Sequence, residues 1–159
     1  MNRKYLPIYL NDHLAGATLG RELVRRALRS NRGTPLGEFL EGLEREIVED
    51  RESLTRLIVD LGFKPSRVKT GGAVVAERVG RLKLNGELTN YSPLSRLVEL
   101  EGLSLGVEGK LTLWRNLRES TDVADDATRP PLDELIRRAE RQRDGLEAQR
   151  LEAAKTALR

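Results

Sequence analysis

The residues able to do chemistry in this sequence are one histidine and a few carboxylates that fall inside apolar stripes. His13 is the only histidine, and the chain contains no cysteine. Asp50, Glu77 and Glu101 lie among aliphatic residues at spacings of three and four, and Glu46 stands one helical turn from Asp50. A buried ionisable group is costly unless it is paired or binds something. Such residues therefore mark either a metal site or an ion-pair network. Hard divalent ions prefer oxygen donors, and a neutral imidazole can complete their shell. Without thiolates, a metal site here is mostly carboxylate. Its candidate ligands are His13, Glu46, Asp50, Glu77 and Glu101, and its candidate metals are Fe and Mn. The plainer reading needs no cofactor: Lys69, Arg78, Arg96 and Lys110 are available to neutralise the acids in a buried network. No catalytic residue stands out beyond these. Ser92 and Ser95 open a helix, where capping explains them, and no strained nucleophile turn is present.

These groups must be positioned by helices. Leu, Arg, Glu and Ala dominate, 33% of residues are charged and only 4% are aromatic, a composition that favours helix over sheet. The first amphipathic segment spans about residues 7–30, with Pro7 in its first turn and Asn31-Arg32-Gly33 as its stop. Its stripe is Tyr9, His13, Gly16, Gly20, Leu23 and Ala27. The second spans 34–61, with Thr34-Pro35 as cap and first helical residue and Gly62 as terminator. A third is expected over about 64–82, although Gly71-Gly72 and several valines also permit strands there. The fourth starts at Ser92-Pro93 and runs to about Arg118, with the cleanest stripe: Leu97, Leu100, Leu103, Val107, Leu111, Trp114 and Leu117. Residues 120–131 read as a linker, and a helix with a thinner stripe follows.

The expected fold is all-α: an antiparallel up-down four-helix bundle over residues 1–119, a linker over 120–131, and an additional C-terminal helix over 132–159. That last helix packs on the bundle or on a partner chain. Residues equidistant from a hairpin turn lie at one height. On that rule His13 pairs with Asp50, Asp50 with Glu77, and Glu77 with Glu99 or Glu101, forming one polar layer.

Charge alternates by segment. Residues 1–33 carry seven basic and two acidic groups, residues 34–62 three and eight, and residues 63–92 six and two. Neighbouring helices of opposite sign attract one another. The pI of about 9.4 therefore reflects internal complementarity, and nucleic acid is not an expected partner. No cleavable signal pattern opens the chain, and no apolar run approaches the roughly 18 residues of a membrane span. A cytoplasmic protein without membrane contact is expected.

Several strings resemble the ferritin-like superfamily, and more narrowly a set of uncharacterised bacterial ferritin-like proteins. They are Tyr-Leu-Asn-Asp-His-Leu-Ala-Gly-Ala (9–17), Leu-Gly-Phe-Lys-Pro (61–65), Lys-Leu-Asn-Gly (83–86), Ser-Pro-Leu-Ser-Arg (92–96), Leu-Glu-Gly-Leu (100–103) and Gly-Val-Glu-Gly-Lys (106–110) before Trp114. The resemblance covers about residues 5–118 and implies a ferritin-like bundle. Ferritin-like oxidases place Glu-x-x-His on each of two helices. With a single histidine that set cannot exist here, and Glu49 and Ser104 stand where the histidines after Glu46 and Glu101 would be. The resemblance thus implies a bundle without an intact di-iron motif, serving as a structural or interaction module. Self-association or a protein partner is expected through the C-terminal helix. The alternative is a carboxylate-rich Fe or Mn redox or stress protein with a degenerate mid-bundle site.

Overall fold

The computed structural model describes residues 2–66, 91–120 and 131–159. These residues form four helices and no strand: α1 (Leu6–Ser30), α2 (Pro35–Asp60), α3 (Pro93–Glu119) and α4 (Leu132–Ala157). The helix expected over 64–82, and with it Glu77, lies outside the described residues apart from 64–66, as does most of the expected linker.

Local chemistry sets the helix ends. Pro7, Pro35 and Pro93 occupy first-turn positions, where a missing N–H costs nothing. The Thr34 hydroxyl accepts from Gly37 N at 3.1 Å, and the Ser92 hydroxyl accepts from Ser95 N at 3.1 Å. Each removes one orphan donor of a helix start. Gly62, at φ +76°, turns the chain out of α2, so that Phe63 N reaches Ile58 O at 3.0 Å.

Contacts step in opposite directions along neighbouring helices. Between α1 and α2, Arg25 meets Glu44 while Thr18 meets Arg51. Between α1 and α3, Arg26 meets Glu99 while Tyr9 meets Asn116. Between α3 and α4, Lys110 meets Gln142 while Arg118 meets Asp133. Between α2 and α4, Glu49 meets Arg138 while Glu46 meets Gln142. The C-terminal helix, expected as an addition, is one of the four described bundle members. Its Leu135, Ile136, Ala139, Leu146 and Ala153 are all buried.

The core divides into two clusters. One gathers Leu10, Leu14, Leu54, Leu57, Ile58, Leu111, Trp114, Leu135 and Ile136. The other gathers Val24, Ala27, Leu40, Leu43, Ile47, Leu97, Leu100, Leu103 and Leu146. The α3 stripe is buried throughout, as its spacing requires. The α1 stripe is displaced by one position over most of its length: Leu10, Leu14 and Val24 are buried instead of Tyr9, His13 and Leu23, while Ala27 is buried as expected. Glycine has no side chain to bury, so the face bearing Gly16 and Gly20 offers little apolar area, and the adjacent leucines take the core.

Gly37 illustrates how tightly the α1–α2 corner is built. It is buried, and a Cβ placed there would collide with the backbone carbonyl of Asn31. Overpacking of this kind typically costs about 1–3 kcal/mol. Gly37→Ala is expected to lower the denaturant midpoint of unfolding accordingly, despite the higher helix propensity of alanine.

Candidate functional site

Between the two apolar clusters lies a polar layer. It is built on Asp50, which is 3% exposed between Ile47 and Leu54 on α2. Lys110 interrupts the α3 stripe between Val107 and Leu111, and Gln142 interrupts the α4 stripe between Ala139 and Leu146. The bundle places these three interruptions together. Lys110 Nζ lies 2.5 Å from Asp50 Oδ2 and also donates to Gln142 Oε1. Gln142 Nε2 donates to Glu46 Oε2 at 2.8 Å and to Asp50 Oδ2 at 3.2 Å. Arg138 Nη1 reaches Asp50 Oδ1 at 3.2 Å and Glu49 Oε2 at 2.8 Å. Both oxygens of Asp50 are thereby engaged by donors from two other helices. Burial pushes the Lys110 ammonium below its ordinary range, and the Asp50 carboxylate opposes that shift.

A second polar cluster closes the end of the bundle near the α1–α2 turn. Glu99 is fully buried, with Arg26 Nε 2.8 Å from Oε1 and the Tyr91 hydroxyl donating to Oε2 at 2.9 Å. Asn31 Nδ2 donates to Ala27 O and to the Tyr91 oxygen, while Asn31 Oδ1 accepts from Arg96 Nε at 3.0 Å. Burial pushes the Tyr91 phenol up to about 12. Burial also raises the Glu99 carboxyl, against the pull of Tyr91 and Arg26. The network joins the end of α1 to the start of α3.

The sequence-predicted layer is therefore only partly assembled. Asp50 and Glu46 meet through Gln142. His13 does not share their height. Thr18 is opposite Arg51, so His13, five residues earlier on α1, is level with Arg56 rather than Asp50. The displacement is about 9 Å at the helical rise of 1.5 Å per residue. Its cause is the corner: the first turn of α2 packs beneath Asn31 through Gly37, so the pairing does not count symmetrically from the turn. His13 instead stacks edge-to-face on Tyr9, with ring centroids 4.7 Å apart. Glu101 is exposed on α3, and the buried acid beside it, Glu99, belongs to the other cluster. Glu77 lies outside the described residues.

Arg138 and Gln142 were not among the candidates. The signal for them was present: Gln142 occupies an apolar-stripe position of α4, one turn beyond Arg138. A long polar residue at such a position needs a buried partner. Among the described residues, no three His, Asp or Glu side chains gather in a way that could hold a metal ion. No described helix is long and apolar enough to cross a membrane.

No family model matches the chain, and no curated protein or solved structure matches it.

The half-buried His13 titrates below its ordinary value, because burial disfavours the imidazolium more than the nearby Asp12 favours it. On acidification the unfolded chain therefore takes up this proton first. Stability from keeping the ring neutral is complete above the ordinary value of about 6.5 and is lost as pH falls through the lowered folded value. His13→Gln is expected to flatten the decline in stability across this window. Parallel denaturant titrations of both chains from neutral pH downwards measure the difference.

Proposed function

We propose that this chain is a ferritin-like helical-bundle protein that acts as a structural or interaction module. In this reading its mid-bundle polar layer is an ion-pair lock and not a metal centre. The observation that carries the reading is the saturation of Asp50: Lys110 and Gln142 engage one oxygen and Arg138 the other. A metal ion at Asp50 would have to displace a buried ammonium and a guanidinium from their counter-ion, leaving cations uncompensated in a low-dielectric interior. The opposed contact directions of neighbouring helices support an antiparallel, up-down arrangement. The motif strings at 9–17, 61–65 and 92–96 support the ferritin-like resemblance within it.

A protein partner or a second copy would meet the outer face of α4. There Leu151 is 49% exposed, and Leu158, just past the helix end, is 72% exposed, while the opposite face is committed to the bundle. A cytoplasmic location belongs to the same reading.

The deciding experiment is metal content per chain after purification without a histidine tag, followed by reloading with Fe(II), Mn(II) and Zn(II). No stoichiometric metal is expected from any of the three. Asp50→Ala is expected to destabilise by about 3–5 kcal/mol, the usual cost of orphaning a buried ion-pair partner. One or two tightly held ions per chain, lost in Asp50→Ala, would instead establish the carboxylate-rich Fe or Mn alternative.

A further inference from the structure

The outer face of α4 carries a second periodic seam. Arg141, Asp144, Ala148, Leu151 and Lys155 follow one another at steps of three and four, and Leu158 continues the spacing at the helix C-cap. All six are exposed. Ala139, Leu146 and Ala153 lie two positions from seam residues, which is roughly opposite on a helix. They are 0%, 0% and 7% exposed. One face of α4 is therefore spent on the bundle. The other repeats with the spacing by which two helices pack side by side.

Charge along the seam selects the partner. Let a second copy lie antiparallel, with Ala148 level with the partner's Leu151. Asp144 is then level with the partner's Lys155, and Arg141 with the partner's Leu158. Two-fold symmetry makes each pairing occur twice. Opposite charges thus flank a small apolar centre, and the Arg141 stem covers a leucine while its guanidinium stays at the rim. Other arrangements fit worse. Sliding one heptad towards the helix N-terminus sets Lys155 against the partner's Arg137. Sliding one heptad the other way carries Asp144 past the end of the partner's helix. A parallel pair in register sets Arg141, Asp144 and Lys155 each against its own copy. Asp144 and Lys155 now meet only neighbours on their own helix, Arg143 at 3.0 Å and Glu152 at 2.8 Å. Exposed pairs of this kind are worth little and do not hold the two charges back.

We propose that α4 is a self-recognition surface. Two copies of this chain pair through antiparallel α4 helices, with Ala148 and Leu151 at the centre and an Asp144–Lys155 ion pair on either side. The proposal rests on the reading of the chain as an interaction module and commits that module to a second copy of itself. The seam is short and carries two leucines per chain, so the interface is at the small end of specific ones and the dimer dissociates on dilution.

Sedimentation equilibrium of the full chain across a wide concentration range tests it, with a reversible monomer–dimer equilibrium expected. Asp144→Lys alone and Lys155→Asp alone oppose like charges, and each should weaken dimerisation at least about tenfold. The chain carrying both changes restores opposite charges and should recover most of that loss. Leu151→Glu should leave a monomer. None of these side chains lies in the core, so circular dichroism and Tm should change little. Cysteine substitution tests the direction, since the chain has no cysteine of its own. Under mild oxidation a mixture of Asp144→Cys and Lys155→Cys should form a disulfide-linked dimer, and neither variant should do so alone. A monomer at every concentration would overturn the proposal. So would a dimer indifferent to Leu151→Glu, a double swap no tighter than the single ones, or either cysteine variant cross-linking with itself. A monomer overturns this pairing alone, whereas stoichiometric metal overturns the interaction-module reading beneath it, whatever the oligomeric state.

Discussion

A carboxylate buried between two halves of an apolar core is the constraint from which this structure follows. Asp50 loses nearly all its water on folding, and an isolated charge in that position is prohibitive. The fold tolerates it by bringing Lys110 from α3 and Arg138 and Gln142 from α4 to its two oxygens. Buried ion pairs are weak as a net source of stability, because desolvation offsets much of the attraction. They are sensitive to geometry, however. Sliding α2, α3 or α4 by one turn, about 5.4 Å, would strand at least one charge among leucines. The layer therefore selects one register of three helices, whereas aliphatic side chains alone would accept several.

The fourth helix is registered differently. α1 places glycines rather than a charged group at the level of the lock, and its alignment comes from the Asn31–Tyr91–Glu99 network at one end and the Tyr9–Asn116 contact near the other. Asn31 serves several elements: its side chain closes the last turn of α1, accepts from Arg96 and donates to Tyr91, while its carbonyl accepts from the Thr34 hydroxyl. With α1 held at its ends and glycine-lined in its middle, a cavity remains beside the lock. Core, lock and cavity thus have one origin in the placement of polar and small residues along otherwise apolar stripes.

Much of the described fold was legible in the sequence because its signals are local. Proline after Thr34 and after Ser92, glycine at 33 and 62, and the unbroken stripe from Leu97 to Leu117 fix helix ends and the buried face of α3 without knowledge of tertiary contacts. Asp50 was legible as a buried acid for the same reason. Its partners were less so. Height matching by symmetric counting from the turn put His13 beside it, and failed because the first turn of α2 is spent packing against the corner. A search for metal ligands selects acids and histidine, so Gln142 and Arg138, the residues that complete the layer, do not stand out on a helix whose apolar stripe is thin. Glu101 and Glu99 are two residues apart and fall on opposite sides of α3. Periodicity alone did not separate a solvated acid from a buried one.

The central claim is that Asp50 and Lys110 act as one unit that holds α2 to α3. A double-mutant cycle with Asp50→Ala and Lys110→Ala, read by denaturant unfolding, tests it most directly. If the two charges are mutual partners, each single change orphans the other and the double change costs well below the sum, with a coupling of at least about 1 kcal/mol. Additive costs, agreeing within about 0.5 kcal/mol, would contradict the account and show that the two residues are stabilised separately.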